Sequence, residues 1–565
     1  MKRDVLFLIT AILICIASAC TQGGETVPFT WNLEDSTLTI SSGTSAKLDD
    51  YMFFLLDYRE SINTIIIEAG VTGIGNFPNC RNLISIDVED GNSAYVSVNG
   101  VLFNKSKMTL ICYPAGKTAD SYVIPNSVTT IGEEAFWGCW NLTSITIPNS
   151  VRTIRKWAFV DCRNLTSITV PSGVTTIGDY VFGWCENLTS INLPNSVTTI
   201  GESAFLLCSS LTSITIPNSV TTIEEKAFEL CENLTSINLS NNVTTIGKNA
   251  FIDCSSLTSI TIPSSVTTIG DGAFVGCSSL TSIDVENENS AYASVNGVLF
   301  DKDKTTLIRY PSGKIADTYV IPNSVTTIGE GAFGGCNLTT ITIPNGVTMI
   351  EREAFRYCSN LTSITIPSSV TTIGFFAFAE CENLTSINIP SGVTTIGYGV
   401  FAGCNLTSIT IPSSATTIKT GAFSSCSSLT SIDVENENNT YASENGVLFN
   451  KNKTTLIYCP IGKTGTYVIP SSVTTIEKSA FSGCANLTSI TIPSSVTTIE
   501  SFAFNGYTNL TSITNLNPVP VPIKGSYVFD NVNQSACTLQ VPKNAVSAYK
   551  KADVWKEFNI VGIEN

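Results

Sequence analysis

Histidine is absent from the 565 residues. That absence removes Ser-His-Asp and Cys-His triads, imidazole acid–base catalysis and every metal site that needs a His ligand. A pair of carboxylates can still hydrolyse a glycosidic bond, but nothing in the pattern places one acid in an apolar pocket. Charge is scarce as well. Charged residues make up 13% of the chain against 43% hydrophobic, so the outer faces must be built from Thr, Ser and Asn. What charge there is sums to −16 with no basic stripe, which argues against nucleic acid and anionic lipid as partners. Beyond the first twenty residues no apolar run is long enough to span a bilayer.

The N-terminus reads as an export leader. Lys2 and Arg3 supply the positive end, Val5 to Ile16 the apolar stretch, and Ala17-Ser18-Ala19-Cys20 the cleavage region. This tetrapeptide resembles a bacterial lipobox, with Ala where Leu is commoner. The resemblance implies that Cys20 becomes the lipid-modified first residue of the mature chain. Ordinary cleavage after Ala-Ser-Ala, giving a soluble secreted protein, is the other reading.

The rest of the chain is dominated by one segment. A representative copy runs Leu142-Thr-Ser-Ile145-Thr-Ile147-Pro148, then Val151 and Ile154, then Ala158-Phe159 and Cys162. Its Phe falls at 136, 159, 182, 205, 228, 251 and 274, a step of 23 each time. Counted by that Phe there are 15 units, from Phe77 to Phe504. A fixed period of this size predicts a repeat solenoid, in which no unit buries its own apolar face and each is covered by its neighbours.

Within a unit, Leu-x-x-Ile-x-Ile predicts a short parallel strand with Leu142, Ile145 and Ile147 inward. Pro148 ends it, and Val151 and Ile154 start a second short extended piece. The Ala-Phe-x-x-Cys stretch has helix-like spacing and predicts a short helix or 3₁₀ turn. The Thr and Ser rows on the strand face read as solvated filler, with docking or water ordering as alternatives.

Three steps are long: 77 to 136, 274 to 333 and 423 to 481. Each holds a Tyr-x-Ser-x-Asn-Gly-Val-Leu-Phe text around Asn99-Gly100, Asn296-Gly297 or Asn445-Gly446. Asn-Gly between β-prone flanks predicts a hairpin. Three β-hairpin inserts, about 87–124, 284–321 and 433–469, are therefore expected to project from the solenoid. Their entrances are acidic (Asp87, Glu89, Asp90 in the first), which reads as a solvated turn or a calcium-holding cluster. The chain divides into a leader (1–19), an N-terminal cap (20–60), the solenoid (61–515) and a C-terminal cap (516–565), the last ending in an expected helix from Ala545 to Phe558.

Fourteen of the 19 cysteines stand three residues after the ruler Phe. Equivalent positions on adjacent coils are about 4.8 Å apart with parallel Cβ vectors, which does not suit a disulfide. A packed column of thiols is the expected arrangement, with Cys112, Cys459 and Cys537 off the column.

Leu-x-x-Ile-x-Ile with a trailing Phe-x-x-Cys at this period resembles the BspA-like leucine-rich repeats of the Treponema type. The likeness covers residues 61 to 515, and the inserts and the Val541-Pro542-Lys543 tail are similar to those of such proteins from Bacteroides-type bacteria. It implies a secreted or surface-anchored bacterial protein acting in adhesion, with no catalytic residues, metal or cofactor to carry over. The expected partner is an extracellular protein or a glycan, and the only membrane attachment is a lipid anchor at the outer membrane or cell surface.

The positions that vary between coils are where a ligand would be chosen. Two residues before the Phe, successive units carry Glu134, Trp157, Tyr180, Ser203, Lys226 and Asn249. A position that accepts Glu, Lys and Asn is expected to be exposed, and Trp157 and Tyr180 with it. Trp140, in a position otherwise held by Arg163 and Glu186, is expected to be exposed too. With Trp137 and Trp184 these aromatics fall in three consecutive coils. They form either a ligand patch or packing against the first insert or a lateral loop. Phe375, Phe376 and Tyr398 are a weaker echo.

Overall fold

A computed structural model describes residues 30–41, 59–77, 80–523 and 525–564. The leader, Cys20 and the Phe53-Phe54-Leu55-Leu56 stretch lie outside them. The chain separates into two compact units, Met1–Gly297 and Val298–Asn565.

In the first unit the strand Thr37–Ser41 pairs antiparallel with Thr30–Glu34 on one side and parallel with Thr64–Ile67 on the other. From there strands add in parallel, one per coil. Ser121–Val123, Ser144–Thr146, Ser167–Thr169 and Ser190–Asn192 form one such run, with Ser144 opposite Ser167 and Ser167 opposite Ser190. A second side is made of two-residue strands, Thr176–Ile177 through Thr268–Ile269, again in register coil upon coil. The register follows from the burial pattern: Leu142, Ile145, Val151 and Ile154 are all buried, and a slip of one residue would turn each set outward.

The third side differs from the expected helix. From Phe136 to Phe504, the residues two before and two after each ruler Phe lie in the left-handed region, for example Trp157 at φ 59° and Asp161 at φ 59°. Left-handed residues every fourth position break a helix. The segment is instead a run of tandem turns: the Ala158 N–H donates to Arg155 O, Val160 to Trp157 O and Cys162 to Phe159 O. Between these, alternate N–H groups reach the following coil, Trp157 to Asp179 O, Phe159 to Val181 O and Asp161 to Gly183 O. A non-glycine residue held at positive φ costs roughly 1–2 kcal/mol, and the ladder bonds offset it.

Inside, the Phe rings stack at centroid spacings from 5.0 Å (Phe355–Phe378) to 6.1 Å (Phe401–Phe423), the offset geometry aromatic pairs favour. The cysteines beside them are buried thiols, not disulfides. They are more than small hydrophobes. Cys162 Sγ donates to Phe136 O at 3.1 Å, and the pattern recurs through Cys254 to Phe228 O. The Thr rows are likewise employed: Thr166 Oγ1 donates to Thr143 O and Thr189 Oγ1 to Thr166 O. Those hydroxyls bind coil to coil, whereas Ser144 and Thr146 face out.

The inserted text does not form an appendage. In the first copy Tyr95–Val98 and Val101–Asn104 pair antiparallel across Asn99-Gly100. Gly100 sits at φ 76°, where an added Cβ would lie 2.8 Å from Ser85 Oγ. Val101, Leu102 and Phe103 are fully buried, so the inner face of the pair is core. The following strand, Thr109–Cys112, pairs antiparallel with Val101–Asn104 and parallel with Thr130–Ile131, which makes it a coil strand. Tyr113 then stacks on Phe136 at 5.4 Å. Each long step thus hides a coil whose column residue is not Phe: Tyr113, Tyr310 or Cys459, each 36 residues after the preceding Phe.

In the second unit the same ladder runs through Thr327–Ile328, Met349–Ile350 and Thr372–Ile373. It breaks after Thr372–Ile373, picks up at Thr395–Ile396 with Thr417–Ile418, breaks again and resumes at Thr455–Tyr458. The expected C-terminal helix is broken. Val546–Tyr549 is one helical turn, Trp555–Glu557 is a 3₁₀ turn, and Val554 between them lies at φ 67°. The chain finishes as a strand, Asn559–Ile563, parallel to Thr538–Pro542. Trp555 is buried, donates Nε1–H to Val521 O at 2.9 Å, and meets Phe529 edge-on at 5.4 Å. Among the described residues no helix is long and apolar enough to cross a membrane.

Candidate functional site

Four of the five aromatics singled out in the sequence come together on the turn side of the first unit. Trp137 and Trp157 have ring centres 6.5 Å apart, Trp157 and Tyr180 6.2 Å, and Tyr180 and Trp184 6.2 Å in a near-parallel stack. They wall a cleft of about 420 Å³, completed by Val160, Asp161 and Arg163. The left-handed turn residues explain the gathering. Trp157, Tyr180 and Trp184 all have φ between 55° and 59°, and the 23-residue register repeats that placement on successive coils.

None of the five is fully exposed; each is half-buried. The inference from residue variety therefore needs correction. Ser203, at the same coil position as Trp157 and Tyr180, is 0% exposed. Phe376 and Tyr527, at that same position, are exposed, so residue variety there does not by itself report exposure.

Trp140 does not line the cleft. Its ring lies between two guanidinium groups, Arg81 at 4.1 Å and Arg163 at 5.0 Å, cation–π contacts that cover an aromatic face. Its Nε1–H donates to Asp161 Oδ2 at 3.0 Å. Arg163 Nε donates to the other oxygen, Asp161 Oδ1, at 2.7 Å, and Arg163 Nη1 reaches Glu186 at 3.3 Å. Trp140 thus holds Asp161, which is only 8% exposed, and the packing alternative describes this one residue. The hydrogen bond that Arg163 donates to Asp161 also raises the pKa of Arg163. At the rim, Lys156 lies over the Trp157 ring at 4.4 Å and pairs with Glu133 at 3.1 Å.

Asp161 and Arg163 are the polar members that the sequence reading passed over. The available signal was their position, two and four residues after the ruler Phe on the coil that carries Trp157. The floor so formed is a hydrogen-bonded carboxylate–guanidinium pair between flat aromatic walls. It can stack on an apolar face and hydrogen-bond a polar edge.

The echo in the second unit is more open. Phe375 meets Tyr398 edge-on at 5.2 Å, and Arg356 lies 4.7 Å over Tyr357 and 5.6 Å from Phe376. The rings of Phe375 and Phe376 rest on Gly397 and Gly399, where an added Cβ would lie 2.8 and 2.3 Å from them.

The acidic insert entrances serve as acceptors in the fold. Glu89 Oε2 takes the Ala69 N–H at 3.0 Å, and Glu286 Oε2 the Ser264 N–H at 2.7 Å. Beside them Asn92, Asn289 and Asn438 are fully buried. Asn289 Nδ2 donates to Pro263 O and Val266 O while its Oδ1 accepts from Ala291 and Tyr292 N–H. Among the described residues no group of three or more His, Cys, Asp or Glu could hold a metal ion.

A family profile described as BspA type Leucine rich repeat region matches residues 112–231, 198–316, 312–430, 348–460 and 452–552. A search of the curated proteins finds no match. Similar solved structures include a leucine-rich repeat protein from Eubacterium ventriosum, 22% identical, covering 90% of this chain and 95% of that one at a TM-score of 0.32. A leucine-rich repeat protein from Bacteroides ovatus is 21% identical over 97% of this chain and 100% of its own, also at 0.32. A leucine rich cell surface protein from Faecalibacterium prausnitzii is 25% identical over 87% and 95%, at 0.29.

Proposed function

Because this chain belongs to the BspA-type leucine-rich repeat family, we propose that it is a non-enzymatic binding protein at the exterior of a bacterial cell. It acts as an adhesin, held by a lipid on Cys20, and recognises host or microbial surface proteins through the outer residues of its coils. The observation that carries the reading is the cleft walled by Trp137, Trp157, Tyr180 and Trp184. Half-buried, mutually braced aromatics have little freedom left to lose, so they are suited to anchor a partner.

Glycan capture is the second reading, and the cleft floor favours it. Flat rings beside a fixed Asp161–Arg163 pair offer a sugar both a stacking face and hydrogen-bonding groups. A screen of residues 21–565 against glycan arrays, matrix proteins and microbial surface extracts separates the two. Truncating an aromatic anchor costs about 2 kcal/mol, so Trp157→Ala and Tyr180→Ala should each weaken the true ligand roughly thirtyfold. If neither variant changes any binding, the cleft is not the site. Turnover of a polysaccharide or peptide by the purified chain would overturn the non-enzymatic reading.

A further inference from the structure

The turn-side ladder of the second unit breaks within the unit, at the coil of Phe423. Phe376, Phe378 and Glu380 donate their N–H groups to Tyr398, Val400 and Ala402 O of the next coil, and further along Ser479, Phe481 and Gly483 donate to Ser501, Ala503 and Asn505 O. Gly421, Phe423 and Ser425 hold the same three places, and among the described residues their N–H groups meet no backbone acceptor. The strand side of that coil is treated differently. There the interruption is sealed, because Tyr441 of the inserted hairpin accepts the Ile418 N–H at its hydroxyl, 3.0 Å away.

In the neighbouring coils these N–H groups point along the stack, so here they point into what lies beyond: a cleft of about 570 Å³ lined by Gly421, Phe423, Ser425, Tyr458, Ser482 and Gly483. Tyr458 donates its hydroxyl to Phe423 O at 3.0 Å and fixes one wall. The charged groups of the lining are Lys419, Lys478 and Glu477. The lysines rest over rings, Lys419 5.7 Å from Tyr398 and Lys478 5.9 Å from Phe502, and among the described residues neither ammonium pairs with a carboxylate. Glu477 is the one opposing charge, and burial and the nearby Glu500 raise its pKa.

We propose that this cleft docks an extended peptide segment of another protein, which adds itself to the open edge. It would offer carbonyls at alternate residues to Gly421, Phe423 and Ser425, and an acidic side chain to Lys419 or Lys478. The occupant is specified by what is missing. Three donors at alternate residues require three acceptors at the same spacing, which a polypeptide in extended form supplies and a sugar does not. The small residues across the cleft leave room for its backbone.

The test is a selection of random linear twelve-residue peptides on the intact chain, counter-selected against Ser482→Trp. That indole would fill the cleft from a position whose own side chain, among the described residues, makes no hydrogen bond to the coil. Enriched peptides should be acidic. Their synthetic forms should bind Ser482→Trp and the Lys419→Glu/Lys478→Glu double variant about tenfold more weakly, and should slow amide exchange at residues 421, 423 and 425. Trp157→Ala should bind them unchanged, so failure here is separable from failure of the aromatic cleft. In the unliganded protein those three amides should exchange faster than Phe378 and Phe481. A selection that yields nothing, peptides indifferent to both variants, or equal protection of the three amides overturns the proposal.

Discussion

The thiol of Cys185 donates to the carbonyl oxygen of Phe159 at 3.3 Å, across one coil boundary. That oxygen also accepts the Cys162 N–H from its own coil, so this Phe carbonyl is held from two sides. Cysteine fits the position because it is small, apolar and still a donor.

Cys208 makes the same bond to Phe182 O at 3.2 Å. Cys208→Ala removes a donor and leaves a small void, and should cost about 1–2 kcal/mol. Cys208→Ser keeps a donor and should recover part of the loss. Urea midpoints at constant slope measure both.

Burial raises the Cys80 thiol from 9.0 to about 11 and the Cys231 thiol to about 12. The folded state therefore keeps protons that the unfolded chain gives up. The stability this contributes is whole below about pH 9 and falls as pH rises toward 11–12. Melting temperature should decline over that window, and a thiol reagent at pH 8 should label the column only after unfolding.

Asn289→Ala would strand two carbonyls and two N–H groups in a buried site. The expected loss is about 2–4 kcal/mol, read in a thermal melt. Ser144→Ala, on the outer face of a strand, should stay within about 0.5 kcal/mol.

Tyr441→Phe keeps the ring and deletes the acceptor for Ile418 N–H. About 1 kcal/mol should be lost, and the Ile418 amide should exchange faster than that of Ile350, whose strand is paired onward, in a residue-resolved measurement.

The strands and the Phe column were legible because recurring apolar residues report burial directly. Leu142, Ile145 and Phe159 face inward as their spacing requires. The tandem turns were not legible. Ala-Phe-x-x-Cys has the same spacing in a helix, and glycine marks only some of the left-handed places, such as Gly272 and Gly331, while Trp157, Lys226 or Glu353 fill others. The hidden coils escaped because Phe was the ruler and they carry Tyr113, Tyr310 and Cys459. At the candidate site, clustering found Trp137, Trp157, Tyr180 and Trp184. Variety at a position was a poor guide to exposure, and it misplaced Trp140.

The inserted text returns the chain to the same column after 36 residues, one ordinary coil plus 13 more. Growth of such a molecule is therefore modular. A copy can be gained, lost or exchanged, and every side chain beyond the splice still meets the kind of neighbour it had before. Reach and the number of open clefts can then change from one descendant to the next while the interior stays chemically the same.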